Sequence, residues 1–246
     1  MFCLKRSIVT VMLLAGCCLF AAEEKDADLI GHWAFDEGKG ETTKDLSGNG
    51  NPGKISNGKW VADGIDGKAL QFNGVDTFVD FGNSKLFDIS KDYTLSVWLR
   101  IGEVKKGMTL FNKGGWSKGW QWYVFRSFTA LTSRGFGKKS PIYYRKFAHG
   151  KLKSDLFLGS QFYNFVLTSK VEDKDTVVTY YVNGKKGKTF LIAGGGLTVN
   201  SKAPLTLGKY ASAEAGYFSG IMDEVKIYKR ALSAEEIKEV HDDLTE

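Results

Sequence analysis

Cysteine is missing from almost the whole sequence. The chain has 246 residues, and its three cysteines, Cys3, Cys17 and Cys18, all fall within the first 18 positions. The rest of the chain therefore has no thiol for a disulfide bond, a metal site or nucleophilic catalysis. Its stability must come from a hydrophobic core or from a metal ion held by other side chains.

Acidic residues are missing from a long internal segment. Between Val104 and Ser154 the sequence has no Asp or Glu but twelve Lys and Arg residues. Such a cluster of one sign favours a basic face that attracts an anionic polymer. The alternative is a set of solvated strands and loops whose cations point in different directions.

Catalytic motifs are also missing. Only three histidines occur, His32, His149 and His241, and they are widely separated. No pair of carboxylates two residues apart on an exposed strand indicates a glycosidase, and neither H-E-x-x-H nor G-x-S-x-G is present. The G-x-G-x-x-G match at residues 48–53 contains Pro52 and precedes no helix, which excludes a dinucleotide site. The sequence therefore predicts a protein that is not an enzyme.

The first 22 residues have the pattern of an export signal. Lys5 and Arg6 precede an apolar run, and small residues end it. Leu14-Ala15-Gly16-Cys17 resembles a bacterial lipobox, which implies lipidation of Cys17; ordinary cleavage near Ala21 or Ala22 is the alternative. An acidic leader follows at residues 23–28. We expect the protein to be exported, as a secreted, periplasmic or lipid-anchored surface protein.

Residues 29–246 are predicted to form one all-β domain. Three scattered prolines and no low-complexity tract give no sign of a linker. Apolar and polar residues alternate from Tyr93 to Ile101, as in a strand with one face in the core. Asn-Gly turns separate similar runs, which predicts an antiparallel two-sheet sandwich. Only the end reads as a helix, because Ser233 and Glu236 form a capping box.

Five ordered motifs resemble those of the bacterial laminin-G-like jelly-roll family, within the concanavalin A-like lectin and glucanase superfamily. They are G-H-W-A-F-D-E-G at residues 31–38, D-L-S-G-N-G-N at 45–51, A-L-Q-F-N-G at 69–74, Y-V-N-G at 181–184, and G-I-M-D-E-V-K-I-Y-K-R-A-L-S at 220–233. The resemblance implies a jelly roll, often with bound calcium, that serves as a recognition module. It implies no reaction. Residues 162–164 depart from the family's Trp-x-His and residues 134–153 match the family little, so the resemblance alone identifies no ligand.

A calcium site is predicted near the second of these motifs. Asp45, Ser47 and Asn49 offer oxygen ligands at alternate positions of a glycine-containing turn, which suits Ca²⁺. The family resemblance places Asp36 and Asp223 as the further carboxylates. The ion would be structural. The alternative is an Asx turn in which Asp45 bonds its own backbone and needs no metal.

The sequence KGGWSKGWQWYVFR at residues 113–126 contains three of the six tryptophans. Strand alternation predicts that Trp120, Trp122 and Val124 enter the core. Trp116 lies in the preceding glycine-rich turn and is predicted to stack on sugar rings; the alternative is that it folds back over the sandwich edge. The other predicted ligand contacts are aromatic or cationic: Tyr123, Tyr143, Tyr144, Arg126, Lys138, Lys139, Arg145 and Lys146, with Lys113 and Lys118 nearby.

Together these features predict an exported, non-catalytic module that binds carbohydrate, with an anionic glycan favoured over a neutral one. The first alternative is an adhesion or scaffold domain that binds a protein at the cell surface. A glycan-degrading enzyme is the second. Nucleic acid is not an expected partner, and contact with a membrane is expected only through the signal or a lipid anchor.

Overall fold

The computed structural model describes residues 26–103, 107–115, 118–124, 128–133, 145–148, 161–193, 202–210 and 216–245. These residues contain sixteen strands, one short 3-10 helix at Lys85–Phe87, and one α-helix. The elements in chain order are β1 (Leu29–Trp33), β2 (Thr42–Thr43), β3 (Gly53–Ser56), β4 (Lys59–Val61), β5 (Ala69–Asn73), β6 (Phe78–Asp80), β7 (Tyr93–Ile101), β8 (Met108–Gly115), β9 (Lys118–Val124), β10 (Phe128–Ser133), β11 (Arg145–Ala148), β12 (Tyr163–Glu172), β13 (Asp175–Val182), β14 (Lys185–Ala193), β15 (Leu205–Leu207), β16 (Ser219–Tyr228) and α1 (Ala234–Asp242).

The described strands form two eight-stranded sheets. Within each sheet, every pair of neighbouring strands is antiparallel. Sheet A has the order β14-β13-β12-β7-β16-β5-β4, and β1 also pairs with β16. Sheet B has the order β11-β10-β9-β8-β15-β6-β3-β2. This arrangement confirms the predicted antiparallel sandwich, whose two inner faces enclose the core.

The core contains the aromatic residues that strand alternation places there. Trp120, Trp122 and Val124 are buried between the sheets, as predicted. Trp122 stacks on Phe111 of the neighbouring strand, with ring centroids 5.9 Å apart, and meets Tyr180 of sheet A edge to face at 6.5 Å. Trp122 therefore joins the two sheets as well as neighbouring strands.

The helix covers part of the outer face of sheet A. Its capping box is formed as predicted, since the Ser233 hydroxyl accepts from the Glu236 backbone N–H and the Glu236 carboxylate accepts from the Ser233 N–H. Ile237 packs against Val166 and Tyr181, and the His241 ring stacks on Trp98 at 5.3 Å. Trp98 lies on the outer face as alternation predicts, yet the helix leaves it buried. No helix in the described ranges is long and apolar enough to cross a membrane.

The Asn-Gly pair at residues 183–184 forms a tight hairpin turn. Asn183 and Gly184 connect β13 to β14, with φ of 49° and 67°. Positive φ at both central positions is what a two-residue turn between twisted strands needs, and Asn and Gly tolerate it best. The Y-V-N-G motif is therefore the end of a strand and its tight turn.

Candidate functional site

The five predicted calcium ligands lie in two separate groups. Asp45, Ser47 and Asn49 are in the turn between β2 and β3, and they bond mainly within that turn. Asp45 Oδ1 accepts from the Ser47 N–H at 3.0 Å and the Ser47 hydroxyl at 2.6 Å, and Oδ2 accepts from the Asn51 N–H at 3.0 Å. Asn49 donates its amide to Ser47 Oγ at 3.0 Å and to the Leu29 carbonyl at 2.9 Å. The Asx turn of the alternative interpretation is thus present.

Asp36 and Asp223 instead hold one loop, residues 62–68 between β4 and β5. Asp36 Oδ1 accepts from the Lys68 N–H at 2.8 Å. Asp223 Oδ2 accepts from the Ile65 N–H at 2.8 Å and lies within 3.4 Å of the Asp66 nitrogen. A Cβ added to Gly64 would lie 2.5 Å from the Lys68 carbonyl oxygen and 2.7 Å from Asp223 Oδ2, so these two oxygens border the same small space.

Asp223 is a buried carboxylate with an unusual environment. It is 0% exposed, and burial raises its pKa to about 8, against the opposing effect of the backbone N–H groups of Ile65 and Asp66. Asp223 Oδ1 also accepts from the Glu224 N–H at 2.9 Å, so this carboxylate, like that of Asp45, already accepts several hydrogen bonds. Over the residues described, no group of three or more histidine, cysteine and carboxylate side chains is arranged to hold a metal.

A β-bulge separates Asp223 from its neighbour Glu224. The pairing of β16 with β7 shifts register between Asp223 and Lys226, and Glu224 has a φ of 47°. Strand alternation alone would place these adjacent residues on opposite faces, but the bulge breaks the alternation. Both side chains are buried, and the two carboxylates have different partners.

Glu224 is the centre of a charged cluster. Its Oε2 lies 2.9 Å from His32 Nε2 and 2.8 Å from Lys226 Nζ. Burial alone would raise the pKa of Glu224, but the hydrogen bond from His32 and the charge of Lys226 outweigh it and lower that pKa to about 2. The cluster ties β1 to β16, since His32 and Lys226 are direct partners in the sheet.

Lys113 does not lie on a ligand surface. A bulge in β8 between Thr109 and Phe111 changes the phase of the strand and turns Lys113 into the core, where it is 0% exposed. Its ammonium donates to the Ala203 carbonyl at 2.7 Å and lies 3.5 Å from Asp88 Oδ1. Burial lowers the pKa of Lys113, and Asp88 opposes that shift. The expectation that Lys113 contacts a ligand beside Trp116 is wrong.

The predicted glycan contacts are only partly within the described residues. Tyr123 lies on the outer face of sheet B, as alternation with Trp122 and Val124 requires, and is partly exposed. Arg145 and Lys146 begin β11, and Lys146 is opposite Ala130, which is in turn opposite Tyr123. Outside the described residues lie Trp116, Arg126, Lys138, Lys139, Tyr143 and Tyr144, and also Cys17.

Around Tyr123 the outer face of sheet B carries neutral polar groups that the sequence analysis missed. We name the tyrosine site by its five residues, Thr109, Asn112, Tyr123, Thr206 and Tyr210. Register places Thr109 opposite Tyr123 and Asn112 opposite Thr206. The rings of Tyr123 and Tyr210 have centroids 6.5 Å apart. Thr206 could have been found from its position between the core residues Leu205 and Leu207, whereas nothing local indicates Tyr210.

These features define the class of the protein. It is a two-sheet antiparallel jelly roll, and its outer sheet face carries aromatic and neutral hydrogen-bonding groups. The chain belongs to the Laminin G 3 family of the concanavalin A-like lectin/glucanases superfamily, whose profile matches residues 73–238. Among proteins with curated functions, none matches this sequence.

Solved binding domains share this fold. The binding domain of paraclostridial mosquitocidal protein 1 is 21% identical, with a TM-score of 0.67 over 88% of this chain and 52% of that one. Domain 4 of AbnA, a GH43 extracellular arabinanase from Geobacillus stearothermophilus in complex with arabinotriose, is 20% identical, with a TM-score of 0.61 over 87% and 98% of the two chains. The binding domain of botulinum neurotoxin DC, in complex with rat synaptotagmin II, is 14% identical, with a TM-score of 0.65 over 88% and 52%. The chain thus spans about half the length of the toxin domains, and the likeness concerns the fold.

Proposed function

We propose that this protein is a non-catalytic module that binds carbohydrate at the tyrosine site. The observation that carries the proposal is the pair of partly exposed rings of Tyr123 and Tyr210, whose centroids are 6.5 Å apart; the side chains of Thr109, Asn112 and Thr206 beside them are buried. Aromatic rings stack on the apolar faces of sugars. The arabinotriose complex of the arabinanase domain supports a sugar ligand for this fold.

An anionic glycan is the preferred ligand within this proposal. The support is the sequence between Val104 and Ser154, which has twelve cations and no acid. β8, β9, β10 and β11, which form one end of sheet B, all belong to this segment. The cations of the segment, except the buried Lys113, would attract sulfate or carboxylate groups on a sugar chain that runs across the tyrosine site.

The experiment is a glycan array followed by affinity measurement on neutral, uronic and sulfated polysaccharides. We expect Tyr123→Ala to weaken binding by about threefold to tenfold, because a stacking contact is lost. Phe162→Ala is the matched control, since this partly buried ring lies under Arg100 on sheet A, away from the site. Binding to anionic glycans should also weaken as ionic strength rises. Equal affinity of Tyr123→Ala and wild type would contradict the location.

A protein ligand is the second candidate, favoured by the neurotoxin domain that was solved in complex with rat synaptotagmin II. The same glycan array distinguishes a carbohydrate ligand from a protein ligand. A protein that ignores every glycan but retains a defined cell-surface protein is an adhesion module. New reducing ends after incubation with polysaccharide would instead identify a glycan-degrading enzyme.

We also propose a structural calcium ion, held by Asp36 and Asp223 with the Lys68 carbonyl. Calcium would neutralise the buried Asp223 and fix the loop at residues 62–68. We expect a Ca²⁺ concentration one hundredfold above Kd to raise the Tm by about 5 °C or more, because a bound ion stabilises only the folded state. Thermal unfolding with Ca²⁺ and with chelator measures this shift.

Three variants locate the ion. Asp36→Asn and Asp223→Asn should both abolish the calcium-dependent shift. Asp45→Asn should lower the Tm through the loss of its turn but keep the shift. If Asp45→Asn alone abolishes it, the ion belongs to the Asp45 turn, and our placement is wrong.

A further inference from the structure

Lys209 is held on the outer face of sheet B by an aromatic ring. Phe78 points outward from β6, because its neighbour Val79 is buried in the core and successive side chains of a strand alternate. The Lys209 ammonium nitrogen lies 3.5 Å from the centre of the Phe78 ring. Both residues are partly exposed. An ammonium in this place is attracted to the negative face of the ring, and this attraction fixes its position on the surface.

The backbone turns at Gly208 and brings the next two residues to this face. Gly208 has a φ of 82°, and a Cβ there would lie 2.5 Å from a core ring, so the position requires glycine. After the turn, the Lys209 carbonyl oxygen lies 3.4 Å from the Thr206 hydroxyl oxygen. Tyr210 follows, and its ring centroid is 6.5 Å from that of Tyr123. Two consecutive residues therefore contact rings on the same face of the sheet.

We name the aromatic strip by its four residues, Phe78, Lys209, Tyr210 and Tyr123. β6 pairs with β15, β15 with β8, and β8 with β9, so Phe78 and Tyr123 are three strand spacings apart, roughly 14 Å. Lys209 and Tyr210 share a peptide bond, and each contacts one end of the strip. A sugar chain that stacks on the tyrosine rings and extends towards β6 would meet the Lys209 ammonium.

The charge of Lys209 is available to a ligand. Within the residues that the structure describes, no carboxylate forms an ion pair with Lys209, whereas Lys226 on sheet A lies 2.8 Å from Glu224 Oε2. An ammonium has three N–H donors, and one ring face cannot accept all of them. A sulfate or carboxylate oxygen would accept a charge-assisted hydrogen bond, which is stronger than a neutral one.

We propose that Lys209 binds the acidic group of the glycan, a sulfate or a carboxylate, while sugar rings stack on Tyr210 and Tyr123. This inference rests on the proposed carbohydrate-binding function and refines it, because it assigns the preference for an acidic glycan to one residue. Since the Phe78 ring already holds the ammonium, little side-chain freedom is lost when the anion binds. Neutral glycans would stack on the same tyrosine rings without this contact.

Two pairs of polysaccharides test the role of Lys209. Dextran sulfate differs from dextran by its sulfates, and polygalacturonate differs from its carboxyl-reduced form by its carboxylates, so the pairs distinguish the two anions. We expect Lys209→Met to weaken binding of the acidic member that wild type retains by about tenfold, and to change binding of the neutral member by less than about twofold. Lys209→Arg should restore most of the affinity, because a guanidinium is also charged and also stacks on aromatic rings. Isothermal titration calorimetry measures each affinity.

Lys185→Met is the matched control. Lys185 is an exposed lysine at the start of β14, on the edge of sheet A, and its replacement changes the net charge equally. If both methionine variants weaken binding of the acidic polysaccharide equally, net charge is the cause, and the proposal for Lys209 is overturned. An equal loss for the acidic and the neutral member in Lys209→Met would show a structural role, which also overturns it.

The outcomes for wild type distinguish this proposal from the proposed function. If wild type binds only neutral glycans, the role of Lys209 is overturned while carbohydrate binding stands. If it binds no glycan, both proposals are wrong. A loss that is confined to the acidic polysaccharide and recovered in Lys209→Arg supports the assignment.

Discussion

Replacement of Trp122 by alanine should lower the free energy of unfolding by about 4 kcal/mol. Trp122 is 0% exposed and contacts Phe111 of its own sheet and Tyr180 of the opposite one. Its removal would leave a cavity that the surrounding strands of two sheets cannot easily fill. Urea unfolding followed by circular dichroism measures the change.

Trp60 provides the control for this experiment. It is partly buried at the edge of the core, and its indole N–H donates to the Gly40 carbonyl at 2.9 Å. Trp60→Ala should lower the free energy of unfolding clearly less than Trp122→Ala does, because fewer contacts are lost and the site is open to water. An equal loss for the two variants would contradict the assignment of Trp122 to the centre of the core.

The second large effect is expected at Glu224. Glu224→Gln should lower the free energy of unfolding by about 3 kcal/mol, because Lys226 then loses its carboxylate partner in a poorly solvated place. The side chains of His32, Lys226 and Glu224 are 18%, 17% and 8% exposed, so water compensates only in part. Denaturant unfolding at neutral pH measures the loss.

An exposed glutamate on the helix is the control. Glu239 lies on the solvent side of α1, and Glu239→Gln should change stability by no more than about 0.5 kcal/mol. A double variant, Glu224→Gln with Lys226→Met, should recover part of the loss, since it removes the uncompensated charge. Failure of the second substitution to restore any stability would show that the ion pair is not the cause.

Local rules were enough for much of the fold. The alternation from Tyr93 to Ile101 gives β7 with its observed bounds, and the pattern at Trp120 and Trp122 gives the core face of β9. The capping box at Ser233 gives the start of α1. These features depend on neighbouring residues, so a period or a short motif is sufficient to predict them.

Bulges account for what alternation could not predict. In β8 one extra residue places both Leu110 and Phe111 in the core and reverses the side of Lys113. In β16 another allows Asp223 and Glu224 to be buried together. A bulge changes the face of the residues that follow it, and its position depends on which strands meet, which is not visible in one strand's sequence.

The candidate site combines residues that are far apart in the sequence, which limits what the sequence alone can predict. Asp36 and Asp223 were predicted to be neighbours on the basis of family resemblance, and each accepts a hydrogen bond from the loop at residues 62–68. Thr109, Asn112 and Tyr210 of the tyrosine site had no such signal, because they come from β8 and from the segment after β15.

The place of β16 in sheet A has a consequence for synthesis. This strand pairs with β1, β5 and β7, and all three precede it in the sequence. While a ribosome makes the chain, those three strands remain without their common neighbour until β16 emerges. Sheets dominated by such distant pairings fold slowly, and their open edges can pair with other chains meanwhile. We therefore expect nascent chains that end before residue 219 to need a chaperone, and full-length chains to lose that need once β16 is inserted.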